Sequence, residues 1–242
     1  MVDEKLIKSS QRVREHGEVF TPKRIVKLML DQKELQENLH SLTATFLEPA
    51  AGEGAFLTEI LHRKLCLAEK MSATLAEYEQ NSLIALSSLY GIELLEDNVE
   101  MLVMNMFGVF YRAYLKQVEH YTGTDNRHVI DSAKIIIQAN MAQGDALKQT
   151  TTNGRPIIFS EWQLLPVRRG VQKVQRTEYT LGSIMNNSQP PVGSSVSERV
   201  NEQLELFVEV DNSLQEYSAE HLTYRYVPVK ITEVYKELVE EV

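Results

Sequence analysis

A β-prone run, Thr43 to Leu47, enters the turn Glu48-Pro49-Ala50-Ala51-Gly52-Glu53-Gly54 and leaves it as a helical stretch from Ala55 to about Lys70. Of all the features of this chain, this one restricts the fold most. Glycine permits a tight turn and close approach of the backbone to a ligand. A strand that leaves through such a turn into a helix must cross over before it can pair with the next strand. The same order then recurs. A second helix is predicted from Ala73 to Ser88, a strand over Leu89–Leu94, and a helix from Glu96 to about Val118. Lys134–Asn140 reads as a third strand ending near Gly144-Asp145-Ala146-Leu147. A turn at Thr150–Gly154 precedes a fourth strand, Pro156–Trp162. Strands alternating with helices predict an α/β fold with a mainly parallel, doubly wound sheet.

The flanks are less regular. Residues 1–16 read as a polar helix or arm. Thr21 is a good N-cap and Pro22 suits a first helical position, so a helix is expected from Lys23 to about Glu37. Ile25, Val26, Met29 and Leu30 would share one face of it. Beyond Trp162 the pattern changes. The expectations are a strand over Arg176–Ile184, a loop over Asn186–Ser195, a helix over Ser197–Glu216, a strand over Leu222–Ile231 and a last helix capped by Thr232. The chain thus divides into a core with its arm, residues 1–165, and a small C-terminal extension, residues 166–242, that completes or extends it.

Composition narrows the function. A chain of 242 residues can bury a full core without a staple. The single cysteine, Cys66, excludes an intrachain disulfide and a multi-cysteine zinc site; in Leu-Cys-Leu-Ala it reads as the buried face of a helix. No metal site is expected. No apolar run approaches the roughly 20 residues of a membrane span, and the charged N-terminus has no apolar signal core, so the expected compartment is the cytoplasm. A net charge of −9 argues against a self-sufficient, non-specific nucleic-acid binder. Two basic stretches remain, Lys5–Arg24 and Arg168–Arg176. Each is either a solvated face or a local patch that touches DNA.

Three carboxylates stand where chemistry is expected. In a doubly wound sheet the ligand lies beyond the carboxyl ends of the strands. The Glu48–Gly54 turn there could wrap a nucleoside, although a purely structural turn has the same signature. Glu93, near the end of the apolar strand Tyr90-Gly91-Ile92-Glu93, could accept bonds from both ribose hydroxyls; otherwise it is a capping or surface acid. The gap between these elements exceeds the common spacing of about 20 residues, and the intervening helix accounts for it. Asp145 could bond an adenine amino group, or is a loop residue.

Taken together, these segments resemble a known family. Gly17-Glu18-Val19-Phe20-Thr21-Pro22 resembles the opening motif of N6-adenine DNA methylases. Phe46 to Leu57 resembles their signature for S-adenosyl-L-methionine (AdoMet), Tyr90-Gly91-Ile92-Glu93 their ribose strand, and Gly144-Asp145-Ala146-Leu147 their adenine turn. The resemblance covers roughly residues 15–165, in the order found in modification subunits of restriction–modification systems. It implies a class I AdoMet-dependent, Rossmann-like methyltransferase fold. It also implies a cofactor site built from Phe20, Thr21, Pro22, Glu48, Pro49, Ala50, Gly52, Gly54, Phe56, Glu93, Leu94, Asp145 and Ala146. Phe20, Thr21 and Pro22 would border the methionine part, and Glu48 and Gly52 its amino-acid end. The implied activity is adenine-N6 methylation of DNA. The short C-terminal part implies that a specificity or partner subunit reads the DNA, in an oligomer or hetero-complex.

The chain departs from the family pattern in three places. Glu48 and Ala51 replace the usual Asp and Cys. The catalytic motif, Asn or Asp, then Pro-Pro, then Tyr or Phe, is missing at the end of the fourth strand, where Phe159-Ser160-Glu161-Trp162 stands. The one Pro-Pro, Pro190-Pro191, sits in a loop-like segment. Ser160, Glu161 and Trp162 are the candidate substitutes: Trp162 could stack on a base and Glu161 could accept a hydrogen bond. Otherwise Trp162 is a core or interface anchor. The alternative function is a catalytically silent, AdoMet-binding relative that acts as a partner or regulatory subunit.

Overall fold

The computed structural model describes residues 6–168, 171–186 and 224–241. The N-terminal arm carries helix α1, Ser10–His16. The Ser9 hydroxyl caps it by accepting from the Arg12 amide, and Gly17 ends it in the left-handed region at φ 66°. The helix expected from Lys23 to Glu37 forms as two, α2 (Lys23–Leu30) and α3 (Lys33–Leu39). Pro22 rather than Thr21 stands at the cap of α2, with no side-chain bond. Val26 and Leu30 are buried, whereas Met29 of the expected face is exposed.

Strand β1 (Phe46–Glu48) feeds the glycine turn and then α4 (Ala55–Met71). Helix α5 (Leu75–Ser87) is capped by Thr74 and leads to β2 (Leu89–Glu93), which is followed by α6 (Glu96–His120). The three-stranded sheet is parallel, in the order β1-β2-β3 with β3 at Met141–Gln143, Phe46 opposite Leu89 and Gly91 opposite Met141. The carboxyl ends of its strands therefore share one edge. The core lies between the long helices: Leu57, Leu61, Leu83, Leu102, Phe110, Ile136 and Ile137 are all buried.

The third strand is shifted from the expected place. Lys134–Asn140 belongs to helix α7 (Arg127–Asn140), and β3 is only Met141–Gln143. The buried positions of α7 are Val129, Ser132, Ala133, Ile136, Ile137, Ala139 and Asn140. Most of them recur at helical spacing, which the β-branched run at Ile135–Ile137 disguises.

The fourth strand is also placed differently. Strand β4 (Ile158–Leu164) pairs antiparallel with β5 (Val174–Thr180), Trp162 opposite Arg176. The strand expected to run to Ile184 ends at Thr180, which caps the short helix α8, Leu181–Met185. Near the C-terminus β6 (Tyr224–Tyr226) pairs with β7 (Val239–Glu241), and between them lies a 3₁₀ helix, Ile231–Lys236. These replace the long strand and the last helix expected there. The expected 186–195 loop and 197–216 helix, with Pro190-Pro191, fall almost wholly outside the described residues. The result is a mixed α/β fold of helices around small sheets. Among the described residues, no helix is long and apolar enough to cross a membrane.

One buried cation helps to join these layers. Lys64, on α4, is wholly inaccessible. Its ammonium donates to the carbonyls of Leu42 and Ala44 and to the Ser88 hydroxyl, 2.6 Å away. It thereby pins the approach to β1 against the approach to β2. Among the described residues no carboxylate pairs with it, and burial pushes its pKa down from 10.5 to about 7. Between those values the unfolded chain binds more protons than the folded one, so stability rises with pH across this window. We expect wild-type protein to gain stability relative to Lys64→Met as pH rises from 6.5 to 9, read by urea denaturation. A constant difference between the two would mean that Lys64 titrates as an exposed lysine.

Candidate functional site

The glycine turn is held over the end of β2 by two contacts and closed on itself by a third. The Ala51 amide donates to the Ile92 carbonyl at 2.9 Å, and the Gly54 amide closes the turn on the Ala51 carbonyl at 2.8 Å. The Gly52 amide donates to Glu93 Oε2 at 2.8 Å. Gly52 and Gly54 both have positive φ, 53° and 87°. A Cβ on Gly54 would lie 2.6 Å from Leu102 Cδ1, so that glycine is demanded twice, by conformation and by space. At Gly52 the neighbour is the Phe20 ring, 3.8 Å from a built Cβ, which brings the opening motif onto the turn. The Gly144 amide donates to the Glu93 carbonyl at 2.9 Å and sets the third segment beside the second. Phe20, Gly52, Glu93 and Gly144 therefore meet at one edge, although they lie far apart in sequence.

Glu93 is 8% exposed. Besides Gly52, its Oε1 accepts from the Leu95 amide at 3.0 Å and from Asn98 Nδ2 at 3.3 Å. Asn98 is 1% exposed and saturated. Its Nδ2 also donates to Glu18 Oε1 at 2.7 Å, and its Oδ1 accepts from Lys8 Nζ at 2.6 Å. Lys8 reaches on to Glu53 and Asp97, at 2.9 and 2.8 Å. Arg12 forks between Glu18 and Asp97. The bonds from Arg12 and Lys8 hold the Asp97 carboxyl down at about 2, and those from Arg12 and then Asn98 depress Glu18. Sequence reasoning missed this hub. Asn98 lies five residues beyond Glu93 with an ordinary helix-start sequence, and only folding brings the arm to it. The first basic stretch, read as solvated surface or a DNA patch, thus has two of its cations engaged by this acidic edge.

Glu48 ends β1 half-buried, and burial pushes its pKa up. Among the described residues no donor reaches its carboxylate. Pro49, Ala50 and Leu94 are exposed at the rim, while Phe20, Thr21, Pro22, Phe56 and Ala146 are half-buried. Asp145 serves its own turn. Its Oδ1 accepts from the amides of Leu147 and Lys148, at 2.9 and 3.1 Å, and the Lys148 amide chiefly lowers its pKa.

Ser160, Glu161 and Trp162 are not brought into one site. They alternate along β4, so Glu161 faces outward while Ser160 and Trp162 face inward. The Ser160 hydroxyl accepts from Arg176 Nε at 2.9 Å, and the Ser160 carbonyl accepts from the Tyr90 hydroxyl at 2.9 Å. The Trp162 indole donates to Asn140 Oδ1 at 3.0 Å, while Asn140 Nδ2 donates to the carbonyls of Ser87 and Leu89. Glu161 accepts from the Tyr179 hydroxyl. Arg176, one of the second basic stretch, is likewise buried: its guanidinium lies between the Trp162 and Tyr226 rings and pairs with Glu237. Cys66 is half-buried rather than buried, with Sγ 3.9 Å from His62 Nε2. No cluster of three or more metal-ligating side chains occurs among the described residues.

In open α/β sheets ligands bind beyond the carboxyl ends of the parallel strands, and here three such ends meet a glycine turn and a buried acid. Residues 4–139 match the family model of the N-6 DNA methylases, more than half of the chain, and the chain belongs to that family. No curated protein and no solved structure matches it.

Two substitutions separate the turn from the strand. Gly54→Ala is expected to destabilise the fold by about 1–3 kcal/mol through left-handed strain and contact with Leu102. Trp162→Phe is expected to cost about 1–3 kcal/mol by leaving the buried Asn140 oxygen without its donor. Chemical denaturation measures both, and an unchanged midpoint for either would remove its assigned contact.

Proposed function

We propose that this chain is an AdoMet-binding, N6-adenine DNA methyltransferase-like protein that serves as the modification subunit of a restriction–modification system, with a partner subunit reading the DNA. One observation carries the reading: the buried Glu93 carboxylate at the end of β2, bonded to the Gly52 amide of the turn that follows β1. The three parallel strands, in this view, are one half of the doubly wound sheet of class I methyltransferases. Membership of a DNA methylase family supports the substrate.

The residues present fit the cofactor. Glu48 is a half-buried carboxylate without a donor among the described residues, and a ligand ammonium supplies the missing charge. Gly52 and Gly54 keep side chains out of the turn. Glu93 orients the ribose by accepting from it. Asp145, whose Oδ1 is held by its own turn and whose Oδ2 pairs with the exposed Lys148 ammonium at 3.3 Å, accepts from the adenine amino group once that surface pair opens, and Phe20 roofs the methionine part. When bound, the cofactor supplies an electrophilic methyl group. The chain's own residues bind and orient it.

A second reading is favoured by the β4 geometry. The side chains of Ser160 and Trp162 have their polar atoms paired in the core, and Glu161 points the other way. In this reading the chain binds AdoMet and is a silent partner or regulatory subunit.

Calorimetry tests the main proposal. Wild-type protein should bind AdoMet at micromolar Kd, about −8 kcal/mol, and Glu93→Ala should weaken binding at least tenfold. Absence of binding by wild type overturns both readings. With binding established, N6-methyladenine in DNA incubated with the chain, alone or with its partner, separates the enzyme from the silent relative.

A further inference from the structure

Glu93 has less acceptor capacity than a ribose demands. A carboxylate offers about four lone-pair positions. The amides of Gly52 and Leu95 and the side chain of Asn98 occupy three. Two ribose hydroxyls need two positions, so one protein donor must give way. The Gly52 and Leu95 amides are fixed by the turn and by the start of α6. The Asn98 bond is the longest of the three, at 3.3 Å, and Asn98 keeps Glu18 as its other acceptor at 2.7 Å.

A hydroxyl both donates and accepts. Inserted between Asn98 and Glu93, it donates to Glu93 Oε1 and accepts from Asn98 Nδ2, and no buried group is left unpaired. We infer that Asn98 is a second ribose-reading residue, and that one ribose hydroxyl enters between it and Glu93. The inference rests on the nucleoside-site reading above and adds to it the group that reads the hydroxyl as an acceptor.

The arm makes this possible. Lys8 on Asn98 Oδ1 fixes which end of the amide faces the carboxylates. Without that cation the amide could turn its oxygen toward Glu93 and repel a carboxylate it now bonds. The insertion also requires Asn98 to withdraw by about the width of a hydroxyl. The arm that holds it is tied by ion pairs partly open to solvent, with Lys8, Arg12 and Asp97 side chains 22%, 25% and 47% exposed. Such pairs yield at small cost.

The test uses the full chain with S-adenosylhomocysteine and its 2′-deoxy and 3′-deoxy analogues, titrated by calorimetry. Wild type should bind the parent about tenfold more tightly than at least one deoxy analogue, which is what one hydrogen bond contributes. Asn98→Ala should bind the parent about tenfold more weakly and lose that discrimination, while still binding the deoxy form as wild type does. Lys8→Met guards against a folding artefact. It melts below wild type but, assayed at a temperature where its melt shows it folded, it should keep the deoxy affinity and lose part of the discrimination, because the amide is no longer held. If Asn98→Ala binds and still discriminates as wild type does, Asn98 does not read the ribose and the nucleoside reading stands without it. If wild type binds all three equally, the inference fails in the same way. If wild type binds none, the nucleoside reading itself falls and takes the inference with it.

Discussion

The bond from the Gly52 amide to Glu93 is the contact on which the site depends. It joins the turn after β1 to the end of β2, while the Gly144 amide on the Glu93 carbonyl joins the segment after β3 to the same residue. Three segments from separate parts of the chain thus converge on one buried acid. A carboxylate left in such a place without donors would be costly. Three amide donors make it tolerable, and they also fix where it points. The parallel register of the sheet is the precondition, since only parallel strands bring all their carboxyl ends to one edge.

Around that acid the arm builds a second layer. Lys8 and Arg12 bring two positive charges to a rim that otherwise holds Glu18, Glu53, Glu93 and Asp97. Gathering four carboxylates without cations would oppose folding through like-charge repulsion. The arm is therefore part of the site's construction. This changes the meaning of the basic stretch at the N-terminus: two of its charges neutralise the protein's own acids and are not available to phosphates.

The β4 region answers a different demand. Asn140 ends α7 in the core, and its amide must be satisfied there. Trp162 supplies the donor it needs, and Arg176 stacks on the same ring while tying β5 to the C-terminal pair β6 and β7. These are the bonds of a structural joint. They account for Trp162 in this strand by its partners in the core. On its outer side β1 has no strand beside it among the described residues, and Leu28, Met29 and Leu47 are exposed there.

Much of this was legible in the residues alone. The turn at Glu48–Gly54 and the acid at Glu93 were legible, because a tight turn and a buried acid at a strand end each demand particular residue types. Helix caps such as Ser9 and Thr74 are likewise local chemistry. The β-branched run in α7 reads as a strand because a short apolar run fits either period, and only burial from neighbouring helices decides between them. The direction of β4, the role of Trp162, the buried lysine at position 64 and the hub at Asn98 could come only from the tertiary structure. Trp162, Lys64 and Asn98 depend on partners 20 or more residues away, and β4 on a strand beyond the turn that follows it. Local sequence determines conformations whose cost is paid within a few residues; the pairing of distant charges and amides is decided where the chain folds back on itself.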